Sequence, residues 1–327
     1  MTVFAFGALG RELPNSLNLN INPANAYTVN YTVSAGTDGT CGALTCGAVI
    51  PVKVYGQRKN GSSASVNLNP AYGAVYAGLS NVSANYHAAT VGVTRRAGKF
   101  ISLDFNYTWS HALDYNQTSV TGFSSNNFFD PYGNARSNYG NSYLNVRHRG
   151  VGWAIVNLPG TKGIRFVDAA TNGWSVKPAL QVQSGLPYSA VVNGTTAPAQ
   201  CAVAGCLQAV SSGLSGLGVS YIPALGRNTY TYPRDLVIDL RIQKDFKLTD
   251  RFNLQFIGEA FNVANFQNIT SLVTTAYNLT TPTTANGTGT LTYQPRTATG
   301  GFGYVNSANS NFAYSPRNIQ AGARIFF

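Results

Sequence analysis

Charged residues are scarce in this sequence, making up 10% of its 327 positions, against about 25% in ordinary soluble domains. The sequence also lacks any run near the roughly 18 apolar residues that a membrane-spanning helix needs, which excludes a helical membrane protein. The sequence is instead rich in Gly and in the uncharged polar residues Asn, Thr and Ser, which suit strands and turns better than helices. We therefore expect a chain built of β-strands.

A secretory leader and metal-binding cysteine spacing are both missing. The start, MTVFAFGALGRELPNS, has neither the basic nor the apolar region of a signal peptide. Four cysteines form two local pairs, Cys41 with Cys46 and Cys201 with Cys206, without nearby His or acidic ligands. We expect two local disulfides, with free thiols as the alternative. Because disulfides need an oxidising compartment, the missing leader predicts that residues are lacking upstream.

Catalytic and cofactor motifs are also scarce. The histidines are His87, His111 and His148. The segment SHALD places Ser110, His111 and Asp114 close in sequence, but a strand end gives no reason for triad geometry, and we interpret His148 as part of a basic rim. No phosphate loop, zinc spacing or calcium loop appears. We expect no enzyme, no cofactor and no metal site, and the dispersed basic residues argue against nucleic acid.

A strict alternation does appear in KFISLDFNYTWSH. Every second residue from Ile101 to Trp109 is large and apolar, whereas the intervening residues, from Ser102 to Ser110, are polar. Period two over this length predicts a strand with its two faces in different environments. A soluble sandwich core and a membrane barrel both produce such a strand, so the other segments must decide.

Similar segments recur along the chain and predict eight strands. One of them, RGVGWAIVN, offers Val151, Trp153 and Ile155 for the same apolar face. The connections are of two kinds: residues 8–84, 112–146, 186–234 and 265–316 are long and poor in periodicity, whereas 97–98, 158–172 and 247–250 are shorter. Long loops on one side and short turns on the other are typical of outer-membrane barrels. The predicted strands are 3–7, 85–96, 99–111, 146–157, 173–185, 234–246, 251–263 and 317–327.

This arrangement assigns the two faces of each strand. The predicted fold is an antiparallel transmembrane β-barrel, present as a C-terminal fragment of about eight long strands with long external loops and short periplasmic turns. Amphipathic rings are favoured at the lipid–water interfaces, so we expect an aromatic girdle of Tyr107 and Trp109 outside and Trp174, Phe246 and Phe252 on the periplasmic side. Asp239 and Glu259 are expected to lie opposite each other with Arg241 beside them, in mutual neutralisation or in contact with a solute. The predicted lumen-facing residues are Asp104, Lys177, Asp239, Arg241, Glu259 and Arg324.

The last strand ends in an aromatic residue. Its apolar positions are Ile319, Ala321, Ala323, Ile325 and Phe327. A terminal aromatic in this frame resembles the signal by which the barrel-assembly machinery recognises its clients. The alternative is that these side chains merely continue the lipid-facing stripe.

Six segments occur in order along the chain: ANYHAATVGVTRR, FNYTWSHALD, NVRHRGVGWAIVNLP, NGWSVKPALQVQSGLPYS, DLRIQKDFKLTDRFNLQFIGEAFNVANFQN and PRNIQAGARIFF. Together they resemble the C-terminal part of the barrel of TonB-dependent outer-membrane receptors, and most closely the Oar-like group that carries a carboxypeptidase-regulatory-like domain. The resemblance covers most of residues 1–327. It implies a barrel of 22 strands, a plug, and a TonB-box that contacts an energising complex, so the plug and early strands would be absent here.

The resemblance implies uptake of a substrate that no residue identifies, in the outer membrane of a Gram-negative bacterium. The expected partners are outer-membrane lipid, lipopolysaccharide, the barrel-assembly machinery and, through the missing N-terminal part alone, the TonB complex. The net charge of +11 favours anionic ligands or lipopolysaccharide phosphates at the rim. Two alternatives stay open: a passive porin-like channel, and a structural or adhesive surface barrel.

Overall fold

The chain is almost entirely β-structure in a computed structural model that describes residues 1–60, 64–69, 71–115, 128–194, 207–209, 213–218, 221–249, 251–282, 287–311 and 313–327. Within these ranges there is one α-helix, α1 (Arg165–Thr171), and no helix is long and apolar enough to cross a membrane. The strands are β1 (Thr2–Asn18), β2 (Tyr27–Ser34), β3 (Val49–Val54), β4 (Gly56–Asn60), β5 (Ala64–Val66), β6 (Tyr76–Ala97), β7 (Ile101–Asp114), β8 (Gly140–Asn141), β9 (His148–Asn157), β10 (Trp174–Gln183), β11 (Pro187–Tyr188), β12 (Val191–Asn193), β13 (Leu207–Ala209), β14 (Tyr230–Thr231), β15 (Asp235–Lys247), β16 (Asn253–Phe261), β17 (Ile269–Leu272), β18 (Thr275–Thr280), β19 (Gly289–Tyr293), β20 (Val305–Ala308) and β21 (Asn318–Phe326).

Eight of these strands form a continuous antiparallel sheet in the order β1-β6-β7-β9-β10-β15-β16-β21, which we call the wall. The predicted fold class is confirmed, and each predicted strand overlaps one strand of the wall. The short connections are also found: Gly98 adopts φ 56° in the turn from β6 to β7, a conformation that suits glycine. Strands β1 and β21 end the order, so each pairs through one edge within the described part of the chain.

The first hairpin is longer than the sequence predicts. Residues 13–18 of β1 pair with residues 76–82 of β6, beyond register shifts between Gly10 and Pro14, and Glu12 has φ 50°. A bulge of this kind inserts an extra residue and changes which side chains share a face. The bulge therefore breaks the period-two pattern. For this reason the pattern did not predict the pairing of residues 13–18 with residues 76–82.

The two faces of the wall follow from its register, since directly opposite residues of an antiparallel pair point to the same face. The apolar face carries Ile101 and Phe105 of β7, Ile242 of β15, Phe256 of β16 and their cross-strand partners. Many of these large apolar side chains are exposed. The other side, which we call the polar face, carries Asp104, Asn106 and their partners.

Strand β9 contradicts the predicted orientation. Gly152 lies opposite Phe105, and Trp153 lies opposite Asp104, so Val151, Trp153 and Ile155 belong to the polar face. Neighbouring strands fix the register of β9 on both sides, whereas its own sequence shows only which residues share a face. The prediction failed because the apolar set of β9 was assumed to match that of its neighbours.

The long connections are packed structure, which the sequence did not predict. The described residues of 19–75, 128–147, 184–234 and 262–317 form what we call the external layer. Its largest sheet has the order β12-β18-β19-β2-β3, with parallel pairs β12–β18 and β19–β2. Its core includes Tyr31, Val54, Ile222, Tyr277 and Leu291. Because these strands come from distant loops, no local periodicity predicts their pairing.

Candidate ligand-contact site on the polar face

A row of charged and polar side chains crosses the polar face. Lys177 of β10 lies opposite Arg241 of β15, and Arg241 lies opposite Glu259 of β16. Glu259 in turn lies opposite Gln320 of β21. The row therefore spans four strands, with two cations next to one carboxylate and one amide.

Direct contacts link most of this row. An Arg241 guanidinium nitrogen lies 3.3 Å from Glu259 Oε1, and Gln320 Nε2 donates to Glu259 Oε2 at 2.6 Å. Lys177 Nζ donates to Gln243 Oε1 at 2.8 Å. The Nε atom of Arg241 is buried and has no hydrogen-bond partner among the described residues. Each oxygen of the Glu259 carboxylate thus has one contact, whereas the buried Nε of Arg241 has no partner among the described residues.

Asp239 is placed differently from the prediction. It lies opposite Ala179 of β10, and its Oδ1 accepts a hydrogen bond from the backbone N–H of Asn262 at 2.9 Å. Arg241, and not Asp239, faces Glu259. The predicted neutralisation is therefore carried by Arg241 and Glu259 alone, since register places Asp239 one row further along the strand.

A cavity of about 300 Å³ lies between this row and the neighbouring row of the polar face, which contains Trp153, Ala179 and Asp239. Trp153, Ala179 and Asp239 line its far side, and Trp153 is 49% exposed. None of the described residues accepts a hydrogen bond from the Trp153 indole. The site therefore joins an exposed aromatic surface to two cations and two carboxylates.

Trp153 is the residue that sequence reasoning missed at this site. Its alternation with Val151 and Ile155 marks one face of β9, but not which face. The signal that was available is the pair of glycines, Gly150 and Gly152, on the other parity. A strand whose lipid-side positions are glycines needs large side chains from its neighbours to cover them.

Two predicted lumen residues lie outside this cavity. Asp104 accepts hydrogen bonds from Thr94 Oγ1 and Asn106 Nδ2, both at 2.6 Å. Arg324 lies opposite Gln255, with its guanidinium 5.5 Å from the ring centroid of Phe326. All six predicted residues thus share the polar face, but only Lys177, Asp239, Arg241 and Glu259 come together.

The predicted girdle residues all lie on the apolar face or in its continuation. Tyr107 and Trp109 lie towards the external layer, and the Tyr107 hydroxyl is 2.7 Å from His148 Nδ1. Trp174 donates its indole N–H to the Ala170 carbonyl at 2.7 Å. Phe252 is exposed. The ring centroids of Phe246 and Phe256 are 5.9 Å apart. Their role at lipid interfaces stays a prediction.

The C-terminal residues are exposed along their whole length. Ile319, Ala321, Ala323 and Ile325 face the apolar side through their partners on β16, and Phe327 is 97% exposed. This placement suits both a lipid-facing stripe and a recognition signal. Their role in assembly stays a prediction.

The SHALD segment has ordinary structural contacts. Ser110 Oγ donates to the Val146 carbonyl at 2.6 Å, and His111 Nε2 lies 3.1 Å from Asn141 Oδ1. Asp114 contacts Arg227 at 2.5 Å in a buried ion pair. These three side chains are therefore directed at different partners.

One of the two predicted disulfides is present. Cys41 and Cys46 are bonded in the external layer, while Cys201 and Cys206 lie outside the described residues. The Tyr277 hydroxyl donates to the Cys41 carbonyl at 2.7 Å, and burial raises the pKa of Tyr277 to about 12. The disulfide ring is thus fixed onto the core of the external layer.

Comparison with known proteins identifies the family. The model of the outer membrane beta barrel domain matches residues 6–320, which includes nearly all of the wall and the external layer. No curated protein matches the sequence. This family implies the outer membrane of a Gram-negative bacterium. A wall with one apolar and one polar face is the arrangement that such a membrane requires, and the chain belongs to the outer-membrane β-barrel family.

Proposed function

We propose that this chain is the C-terminal part of the barrel of a TonB-dependent receptor, which takes up a solute across the outer membrane. The observation that carries the proposal is the pair of wall edges at β1 and β21. In lipid, each unsatisfied backbone group costs several kcal/mol, and β1 and β21 each pair with one wall strand among the described residues. This supports a barrel larger than eight strands, as in the receptor family that the six segments resemble.

The polar face supports a role in contacting the solute. Charges are expensive in a membrane unless they face a water-filled interior, and the Lys177–Arg241–Glu259 row lies on the face opposite the exposed apolar side chains. Trp153 adds an aromatic surface beside the same cavity. In this proposal the row and Trp153 contact the solute as it passes, while energy coupling belongs to the plug and TonB-box.

Ion conductance tests the proposal against a passive channel. The complete protein would be purified from native outer membranes and inserted into planar lipid bilayers in potassium chloride. A plugged receptor should give no persistent conductance, because the plug fills the lumen. Persistent ohmic conductance would instead identify a porin-like channel and would overturn the proposal.

Binding to the energising complex tests it against an adhesive barrel, which would also fail to conduct. The purified protein would be mixed with the periplasmic domain of TonB from the same organism, and binding would be followed by co-sedimentation of proteoliposomes. A receptor should bind through its TonB-box, and removing the segment upstream of the plug should abolish binding. Absence of binding together with absence of conductance would favour a structural or adhesive barrel.

A further inference from the structure

The helix α1 lies on the apolar side of the wall. It belongs to the connection between β9 and β10, at the end that carries the short turns. Lys244 and Trp174 are opposite each other on the apolar face. Lys244 Nζ donates to the carbonyls of Ala169 and Ala170 at 2.7 and 3.2 Å and also to that of Asn172. Since Trp174 also donates to Ala170, two apolar-face side chains hold the end of α1.

Lys244 stabilises the position of α1 on the apolar side of the wall. A lysine in a lipid-facing stripe is costly unless its ammonium reaches polar groups. Here the lysine is only 5% exposed, and its ammonium meets the free carbonyls at the C-terminal end of α1, where a cation is favourable. The lysine therefore ties the helix to the wall and does not point into the lumen.

The segment before α1 is also held rigidly. Asp168 accepts hydrogen bonds from the Gly163 N–H at 2.9 Å and from Thr161 Oγ1 at 3.0 Å. Asn172 Nδ2 donates to the Thr161 carbonyl at 3.1 Å. These contacts close the connection on itself, so its outward-facing side chains have a defined position relative to the wall.

Those outward-facing side chains are apolar. Ile164 is 66% exposed, Phe166 is 87% exposed and Val167 is 44% exposed. Neither a wall strand nor the external layer covers them within the described residues. Large exposed apolar patches on a rigid segment mark an interaction surface.

Exposed cations surround the same end of the wall. Lys162 precedes α1, Lys99 lies in the turn from β6 to β7, and Arg251 lies in the turn from β15 to β16. Exposed apolar side chains and exposed cations at one end of the wall match the boundary of a bilayer, where acyl chains meet anionic phosphate headgroups. The charge pattern therefore favours phospholipid over another protein as the occupant.

We propose that Ile164, Phe166 and Val167 form a membrane anchor, inserted at the headgroup–acyl boundary of the periplasmic leaflet of the outer membrane. The patch continues the apolar face past Trp174, and short turns lie on the periplasmic side of such barrels. The anchor fixes the depth of the wall in the bilayer. It requires the outer-membrane location of the family and is independent of the substrate and of TonB.

Fluorescence quenching by nitroxide lipids tests the anchor. The complete protein would carry Phe166→Cys labelled with an environment-sensitive fluorophore and would be reconstituted in phosphatidylethanolamine–phosphatidylglycerol vesicles. Because Phe166 is so exposed, the substitution should leave the fold intact. The label background on the parent chain, which has its own cysteines, would be subtracted.

Two control positions define the scale. Asn253→Cys is exposed on the polar face at the same end, and Ile242→Cys is exposed on the apolar face within the wall. Lipids with nitroxide at the headgroup level should quench the label at 166 at least about twofold more than the label at 253. Lipids with nitroxide deep in the chain should quench the label at 242 most.

Two outcomes would overturn the proposal. Equal lipid quenching at 166 and 253, with strong quenching of 166 by a water-soluble agent, would place the segment in water. Protection of 166 that appears only at high protein density would identify a second copy as the occupant. Neither result depends on conductance or TonB binding, so failure of the anchor is distinguishable from failure of the proposed function.

Discussion

The ring of Phe105 covers Gly152 on the neighbouring strand. The two residues are directly opposite in the register of β7 and β9, and a Cβ added at Gly152 would lie 2.7 Å from Phe105 Cδ2 and 2.9 Å from the Asp104 carbonyl oxygen. Because the second of these atoms belongs to the backbone, it cannot move aside easily. The absence of a side chain at Gly152 therefore lets the aromatic ring cover two strands, and it leaves the large side chains of β9 to the polar face.

Replacing Gly152 should destabilise the wall. We expect Gly152→Ala to cost about 1–3 kcal/mol, because overpacking forces a shift of neighbouring atoms. Thermal unfolding of the purified protein in detergent would measure it. Gly258→Ala is the matched control, since Gly258 lies on the same face and a Cβ there would meet nothing within 4 Å. Equal losses for both variants would contradict the close packing at Gly152.

The three tryptophans of the chain should respond to different quenchers. Trp153 lies on the polar face, whereas Trp109 and Trp174 lie on the apolar face. In proteoliposomes we expect Trp153→Phe to remove most of the fluorescence that iodide or acrylamide quenches. Trp109→Phe and Trp174→Phe should instead reduce quenching by brominated lipids. If Trp153→Phe removed the lipid-quenched part, the assigned face of β9 would be wrong.

The ion pair between Arg227 and Asp114 should contribute far more to the stability of the fold than the ion pair between Arg241 and Glu259. The side chain of Arg227 is 3% exposed, and its Nη2 lies 2.5 Å from Asp114 Oδ1. Its Nε also donates to the Asn138 carbonyl at 2.8 Å. Removing one partner of such a buried pair costs about 3–5 kcal/mol. We expect Arg227→Ala to increase hydrogen exchange throughout the external layer.

The control for this prediction is Arg241→Ala. Its ion pair is partly exposed, with side-chain exposures of 36% and 23%, so its loss should cost about 1 kcal/mol or less. Hydrogen exchange in the external layer should stay unchanged in this variant. A larger effect of Arg241→Ala than of Arg227→Ala would contradict the assignment.

The external layer should lose stability in alkali. Burial raises the pKa of Tyr27 and of Tyr277 to about 12, against about 10 in an unfolded chain. Because the raised pKa favours the neutral form in the folded layer, its stabilising contribution is complete below pH about 10 and is lost as pH rises towards about 12. Circular dichroism together with tyrosinate absorbance should show unfolding across this range.

Tyr277→Phe supplies the comparison. It removes the hydroxyl that donates to Cys41, so we expect a loss of about 1 kcal/mol near neutral pH. The decline between pH about 10 and 12 should also be shallower, because one titrating group is gone. An unchanged alkaline profile would show that Tyr277 contributes nothing to it.

Phe327 should affect assembly more than stability. If it is only a lipid-facing side chain, deleting it should cost about 1–3 kcal/mol of burial and leave membrane levels nearly unchanged. As a recognition signal, its loss should slow insertion in the complete receptor and leave precursor in the periplasm for degradation. Ile238→Ala removes a comparable apolar group within the wall and should still insert. Equal membrane levels of the two variants would reject the signal.

The sequence by itself determined the wall, because alternation and short turns are local properties of each hairpin. Strand β7 shows this most clearly, since Ile101 to Trp109 alternate without a break, and the short connection predicted at 97–98 is present, with Gly98 at φ 56°. The shared face of Lys177, Arg241 and Glu259 followed from the same parity. Their side chains lie where period two places them.

Tertiary structure decided the features that the alternation within a single strand does not determine. The face of Trp153 depends on register with β7 and β10, and the partner of Arg241 depends on a shift of two residues along one strand. The extension of β1 to Asn18 depends on a bulge that resets the alternation. The external layer depends on pairs between distant loops, such as Val192 with Tyr277 and Leu291 with Val33. These features arise from contacts between strands far apart in sequence, whereas an alternation pattern records only the two sides of one strand.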